Sequence, residues 1–583
     1  MRIGNCSGFY GDRFAAMREM IDGGDLDILT GDYLAELTML ILFRSKAKDP
    51  ARGYATTFVR QLEDCLGMAW EQGVRIVANA GGLNPAACAT AVRDLANRLG
   101  LRVNVAHVEG DDLLPRVAEL RGAEGTGLRN LDTGAVLTAD PLTANAYLGG
   151  WGIAAALDAG AQVVVTGRVT DAALVIGSAA HWHGWARDDW DPLAGALVTG
   201  HVLECGAQAT GGNYSFFTEI PDNDYLGFPL AEVAEDGSSV ITKHPGTGGA
   251  VTVGTVTAQL LYEIGPPLYL NPDVSARFDT IALEQESPDR VRISGVLGTP
   301  PPETTKVCLN LLGGFRNSMT FLLTGLDIEA KADLVKRQLA SALDGVESVT
   351  WTLARTDRDD PPTNEQAVAT LRVTVKDPDG KRIGRPFSSA AVEIALASYP
   401  GCTLTSPPGD ATMYGVYWPA LVPNDEVTQV TVLDDGTRVP IETPTDPGRE
   451  PLRPGRFDFP LGSASGGDRT TTRAPLGTLV GARSGDKGGN ANLGVWVESD
   501  DAYRWLARGL TVEKFKELLP ETKDLQVDRH DLPNIRALNF VVHGLLGDGV
   551  AASTRQDPQA KGLGEWLRSR HVNIPVTLLE DGR

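Results

Sequence analysis

Apolar positions along this chain recur in two alternating patterns. Over the first 200 residues, short apolar runs alternate with stretches whose apolar positions repeat at helical spacing. The runs predict strands at Arg2–Asn5, Asp27–Thr30, Arg75–Ala78, Arg102–His107 and Ala161–Thr166. Pro85 to Leu99 is the clearest helix, because Asn84 before Pro85 supplies an N-cap and first-turn pair. Strand–helix alternation predicts a parallel sheet with helices on both faces. Residues 1–254 are therefore read as a parallel-sheet α/β domain.

From 255 the texture changes. A strand near Asn317–Leu323 precedes an amphipathic helix, Ile328–Leu343. Strands near Ser348–Ala354 and Ala369–Val375 follow, then a helix at Ser389–Ser398 and a strand at Met413–Trp418. That order is the split βαβ pattern, so 255–440 reads as an α+β middle domain with a strand-rich start at Leu260–Leu297. Residues 441–475 carry Pro444, Pro447, Pro451, Pro454 and Pro460 among Gly, Ser and Thr, which predicts a linker. Residues 476–583 are an α+β domain of ordinary size. Its strands are expected at Gly477–Ala482, Asn492–Val497 and Ile535–Val542, and its helices at 500–518 and Gln559–Arg570.

Composition narrows the function classes. The chain has 583 residues, which implies two to four domains. Its net charge of -22 repels phosphate backbones, which excludes nucleic acid as a partner and argues against anionic membrane surfaces. A local basic pocket for an anionic metabolite is still compatible with that charge. Six cysteines lie far apart with no C-x-x-C pair, so reduced thiols and a cytoplasmic setting are expected. The N-terminus lacks a signal-peptide pattern. The most apolar run, Leu34 to Phe43, contains Glu36 and is too short to span a bilayer.

Ligands in parallel sheets collect at the carboxyl ends of the strands. Every predicted strand end here is polar or glycine-rich: Asn5 and Ser7; Asp32; Asn79, Gly81, Gly82 and Asn84; Glu109 to Asp112; Gly167, Arg168, Thr170 and Asp171. They form a candidate pocket, although short loops of this kind also cap helices. No G-x-G-x-x-G follows the first strand, so no dinucleotide cofactor is predicted. His201 and Glu204 share a helix face and suit acid–base work. With His181 or His183 they would supply two His and a carboxylate for a metal, but the spacing matches no named zinc signature and no metal is predicted. Gly211, Gly212 and Asn213 offer backbone donors. Lys243 beside a second glycine-rich stretch, 244–249, offers a cation but not a Walker order.

The densest polar stretch is Arg483-Ser484-Gly485-Asp486-Lys487-Gly488-Gly489-Asn490-Ala491-Asn492. It reads as a flexible loop feeding a buried strand, either an anion-binding loop or a tight turn. Lying behind the linker, it is expected to face the first domain's pocket through Arg483, Ser484, Asp486, Lys487, Asn490 and Asn492.

These segments resemble a known family. Asn5–Phe9, Thr30–Glu36, Asn79–Pro85, Thr166–Asp171 and Gly211–Asn213 are similar to the AtuA family, named for acyclic terpene utilisation. The stretch 483–492 behind its linker resembles that family's ferredoxin-fold-like C-terminal domain. The resemblance implies catabolism of citronellol- and geraniol-type terpenoids through acyl-CoA thioesters, beside acyl-CoA carboxylases and dehydrogenases. It supplies no agreed reaction and no residue roles. The expected activity is that of a hydratase or lyase on a branched acyl-CoA, with CoA entering as part of the substrate and no other cofactor. Asp32, Asp171, His201 and Glu204 are the acid–base candidates and Arg168 the carboxylate partner. A non-catalytic partner of an acyl-CoA carboxylase and a metal-dependent hydrolase are the alternatives. A homo-oligomer is the expected assembly.

Overall fold

The structure is a computed structural model that describes residues 1–122, 127–442 and 470–580. Two compact units divide the chain: Met1–Asn310 with Tyr417–Val550 and Gln559–Arg583, and Leu311–Val416 with Ala551–Pro558.

Among the described residues, eleven strands of the first unit form one sheet. Its centre is parallel, in the order Arg2–Asn5, Ile28–Gly31, Arg75–Ala78, Val163–Thr166, Val105–Glu109. The central strand Val163-Val164-Val165-Thr166 is buried throughout, which suits a strand covered by helices on both faces. Helices between the strands cover it, among them Thr56–Gln72 and Pro85–Arg98. The Asn84 side chain accepts a hydrogen bond from the Ala87 N–H and caps the second of these.

The parallel expectation holds only for this centre. Strands Pro229–Val233, Ser239–Lys243, Arg290–Ser294 and Ala282–Ser287 extend one edge antiparallel, with short hairpins joining the first two to each other and the last two to each other. Gln429–Val432 and Arg438–Ile441 extend the other edge. Part of the stretch read as a middle domain thus belongs to the first sheet. A small sheet of Leu268–Tyr269, Ser275–Arg277 and Leu297–Thr299 follows the helix Val253–Leu260. Thr143–Ala146 pairs antiparallel with Val307 to Asn310.

In the C-terminal part of this unit, two hairpins form a four-stranded antiparallel sheet in the order Gly481–Lys487, Asn490–Trp496, Ala537–Val542, Val527–Leu532. Helices Asp500–Gly509, Val512–Leu518 and Leu563–Ser569 bury its apolar residues. The stretch 483–492 is therefore not a loop before a strand. Both of its arms are strand, and only Gly488 and Gly489 form the turn. Gly488 carries the positive φ of 63° that such a turn needs. Most of the expected linker, 443–469, lies outside the described residues, while 471–475 form a strand with His571–Pro575.

In the second unit, Thr304–Thr324 pairs from Phe315 onward with Val368–Asp377, which pairs in turn with Ser348–Ala354. Helices Ile328–Leu339 and Arg385–Glu393 bury Val335, Leu339 and Phe387 with the sheet residues Phe321, Leu371 and Val373. This is the α+β strand–helix order expected for the middle of the chain.

Candidate active site

A cavity of about 420 Å³ opens in the first unit. That size suits a small organic ligand. Leu131, Pro266, Leu268, Leu270, Pro302 and Leu421 give it an apolar wall. Arg168, Thr170, Asp171, Glu204, Glu263, Lys306, Asp486 and Lys487 give it charge and hydrogen-bonding groups.

Arg168 follows the central strand, and its backbone N–H and both terminal guanidinium nitrogens have partners. Its backbone N–H donates to Asp111 Oδ2 at 2.9 Å, and Nη1 donates to the Leu34 carbonyl at 3.1 Å. Nη2 pairs with Asp171 Oδ1 at 3.1 Å. The guanidinium lies 4.3 Å from the centre of the Tyr147 ring. The Lys306 ammonium lies 5.0 Å from that ring, so one electron-rich ring serves two cations. Asn271 donates to Thr170 Oγ1 at 2.9 Å and fixes the adjoining turn.

Glu204 caps the helix Trp190–Leu203, and its side chain is only 8% exposed. Asn5 holds this helix end through bonds from Nδ2 to the carbonyls of Leu203 and Glu204. Burial pushes the Glu204 carboxyl well above the usual carboxylate range. The charges of Asp171 and Glu263 reinforce that rise, while Arg168 and Lys487 oppose it. His201 Nδ1 lies 3.1 Å from Glu204 Oε1. Burial lowers the His201 pKa to about 4, so the ring is neutral near pH 7. Its ring is packed against Tyr269 and Phe278 and stands behind the cavity wall.

The remaining sequence candidates divide between wall and scaffold. Asp486 and Lys487 line the cavity. Asp32 does not. It accepts from Asn79 Nδ2 and the Leu34 N–H, and its own N–H donates to Ser7 O. Burial, then the charge of Asp171, raises its pKa well above the ordinary value. Gly81 donates to Thr166 O, Gly82 to Asn79 O, and Gly167 packs against Asp111. Gly211, Gly212 and Asn213 close the turn after the short helix Gly206–Thr210. Lys243 pairs with Asp289 at 3.2 Å and donates to Thr247 O, away from the cavity lining.

On the hairpin, Arg483 stacks on Tyr262 and bonds Gln208. Ser484 donates to the Ala560 and Lys561 carbonyls, and Asn490 donates to Asp132. Gly485 serves close approach rather than flexibility, since a Cβ there would lie 2.3 Å from the Tyr262 ring.

The metal constellation is not assembled. His181 and His183 end the helix Ala173–His183, where His181 meets Asp158 and Arg75 and His183 meets Val233 O. Gly200, next to His201, packs on Ala172 at the opposite end of that helix. About ten residues of helix, roughly 15 Å, separate the two groups. Among the described residues, no three His, Cys, Asp or Glu side chains are disposed to hold a metal.

Glu263, Lys306, Tyr147 and Tyr269 reach the cavity without having stood out in the sequence. Lys306 gave one weak signal, as a lone cation in the apolar strand that runs on through Val307 to Leu311.

A family model described as the acyclic terpene utilisation protein AtuA matches residues 1–433. The chain belongs to the AtuA family. A second model, the AtuA ferredoxin-like domain, matches residues 474–573 and covers the C-terminal sheet of this AtuA-family protein. No curated protein matches the chain. Among the described residues, no helix is long and apolar enough to cross a membrane.

Proposed function

We propose that this AtuA-family protein moves a proton on a branched, terpenoid-derived acyl-CoA, as a hydratase or lyase. The family supports a role in acyclic terpene utilisation. One observation carries the finer reading: a buried carboxyl, Glu204, opens onto a cavity with an apolar wall and cations beside it. The apolar wall takes the branched acyl chain. Glu204, whose pKa burial raises, gives its proton to the carbon beside the thioester carbonyl as water adds to the β-carbon of the unsaturated thioester, and the Glu204 carboxylate takes the proton that the water releases; the reverse steps expel water. Arg168 and Lys487 stabilise the negative charge that develops on the carbonyl oxygen. Lys306 adds a cation for an anionic part of the substrate.

The test is incubation of the purified full chain with geranyl- and isohexenylglutaconyl-type CoA esters. Turnover that is lost in Glu204→Gln supports the reading. No turnover and no binding of any acyl-CoA removes it.

A further inference from the structure

Glu263 has a backbone that its own sequence does not explain. Its φ is 57°, a left-handed conformation uncommon for a side-chain-bearing residue. Such a conformation persists where its surroundings over-determine it, and it points to function when it borders a site. The surroundings here come from the C-terminal sheet. Asn492 Oδ1 accepts the Glu263 N–H at 2.7 Å, and Asn492 Nδ2 donates to Leu261 O at 3.0 Å. The same Nδ2 donates to Asn539 Oδ1 at 2.5 Å. Asn539 Nδ2 donates to the carbonyls of Gly265 and Ile264 at 2.8 and 3.3 Å. Lys487 Nζ donates to Glu263 O at 3.0 Å. Both asparagines are fully buried on neighbouring strands. Two side-chain amides thus replace a regular backbone ladder along residues 261–265. A buried amide that lost these partners would leave unpaired polar groups, so the arrangement is held in one state.

We propose that Asn492 and Asn539 are positioning residues that set the Glu263 carboxylate in the cavity opposite Glu204, so that the C-terminal sheet builds one wall of the active site. This rests on the reading of Glu204 as the proton carrier. The charged and titratable groups facing Glu204 are His201, Cys205, Tyr269, Asp171, Glu263, Arg168 and Lys487. The charge of Glu263 raises the Glu204 pKa. Moving or removing that charge lowers it, and activity that needs protonated Glu204 then falls off at a lower pH.

The experiment uses the full chain with Asn492→Ser, Asn539→Ser, Lys487→Met and Glu263→Gln. Hydrogen exchange of the 261–265 amides reads the positioning without any assumption about the reaction. Exchange is expected to rise about tenfold or more in both Asn variants and less in Lys487→Met, with the strand 537–542 unchanged. The alkaline limb of turnover is expected to move to lower pH in Glu263→Gln and in the Asn variants. Unchanged exchange at 261–265 in folded Asn variants overturns the proposal. If either Asn variant does not fold, the other and Lys487→Met decide by the same exchange. Full turnover in Glu204→Gln would remove the functional reading, and the exchange result would still decide the positioning.

Discussion

The strand-end loops of the large sheet and the hairpin Gly481–Trp496 are alike in composition and unlike in use. At the strand ends, most polar side chains bind one another's backbones. Asn5 holds the helix end at Glu204, Asn79 holds Asp32, and Asp111 holds the Arg168 N–H. One of those loops, 168–171, reaches the cavity. On the hairpin, Arg483, Ser484, Asn490 and Asn492 bond other segments, and the tip, Asp486 to Gly488, lines the cavity. In both regions polar density marks scaffold bonding first. The cavity-lining groups are those placed at the last position before the chain turns away.

Two buried carboxyls, Glu204 and Asp32, separate cavity wall from scaffold most clearly. Glu204→Gln is expected to lower acyl-CoA turnover by about 10²- to 10⁴-fold. Asp32→Asn keeps the side-chain oxygen that accepts from Asn79 and the Leu34 N–H, and its turnover should stay within roughly tenfold, since Asp32 does not line the cavity. Equal losses in steady-state assays would erase the distinction between wall and scaffold.

Arg168→Met should cost about 3 kcal/mol in chemical denaturation, because it removes a buried guanidinium that pairs with the 31%-exposed Asp171 and donates to the buried Leu34 carbonyl. A cost under about 0.5 kcal/mol would mean that the bonds around Arg168 are replaceable by water.

Asp111 supplies a pH signature of the scaffold. Burial raises its pKa from 3.8 to about 6. The folded state therefore keeps a proton that the unfolded chain releases between those values. Stability from this group is full below pH 3.8, falls as pH rises to about 6, and is level above that. The loss is roughly 3 kcal/mol at 1.4 kcal/mol per unit. Asp111→Asn should remove that slope in denaturation measured from pH 4 to 7.

Gly485→Ala tests the hairpin side. The added methyl meets the Tyr262 ring and should cost about 2 kcal/mol, read as a lower melting temperature. Tolerance of alanine would restore the reading of Gly485 as a flexible joint.

Much of the scaffold was legible because local pattern determines it. Arg75–Ala78 and Ser348–Ala354 are observed as read, and Asn84 caps its helix as its position before Pro85 implies. The hairpin reads as a loop in the sequence because its buried strand residues are polar. Arg483 and Asn492 are buried by bonds to Gln208, Leu261 and Glu263, partners hundreds of residues away that no periodicity reveals. The far antiparallel edge of the first sheet is hidden in the sequence for the same reason, since Gln429–Val432 pairs with Val105–Glu109 across more than 300 residues. In the candidate site, Arg168, Asp171 and Glu204 could be named from strand-end and helix-face position. Glu263 could not, because its place depends on a left-handed backbone imposed from another sheet.

The most direct test is deuterium incorporation. A branched acyl-CoA is incubated with the full chain in D₂O, and the thioester is weighed by mass spectrometry. Wild-type protein is expected to place deuterium on the carbon beside the thioester carbonyl, and Glu204→Gln to place none above the enzyme-free rate. Incorporation at equal rates in both proteins would contradict the assignment of Glu204 as the proton carrier.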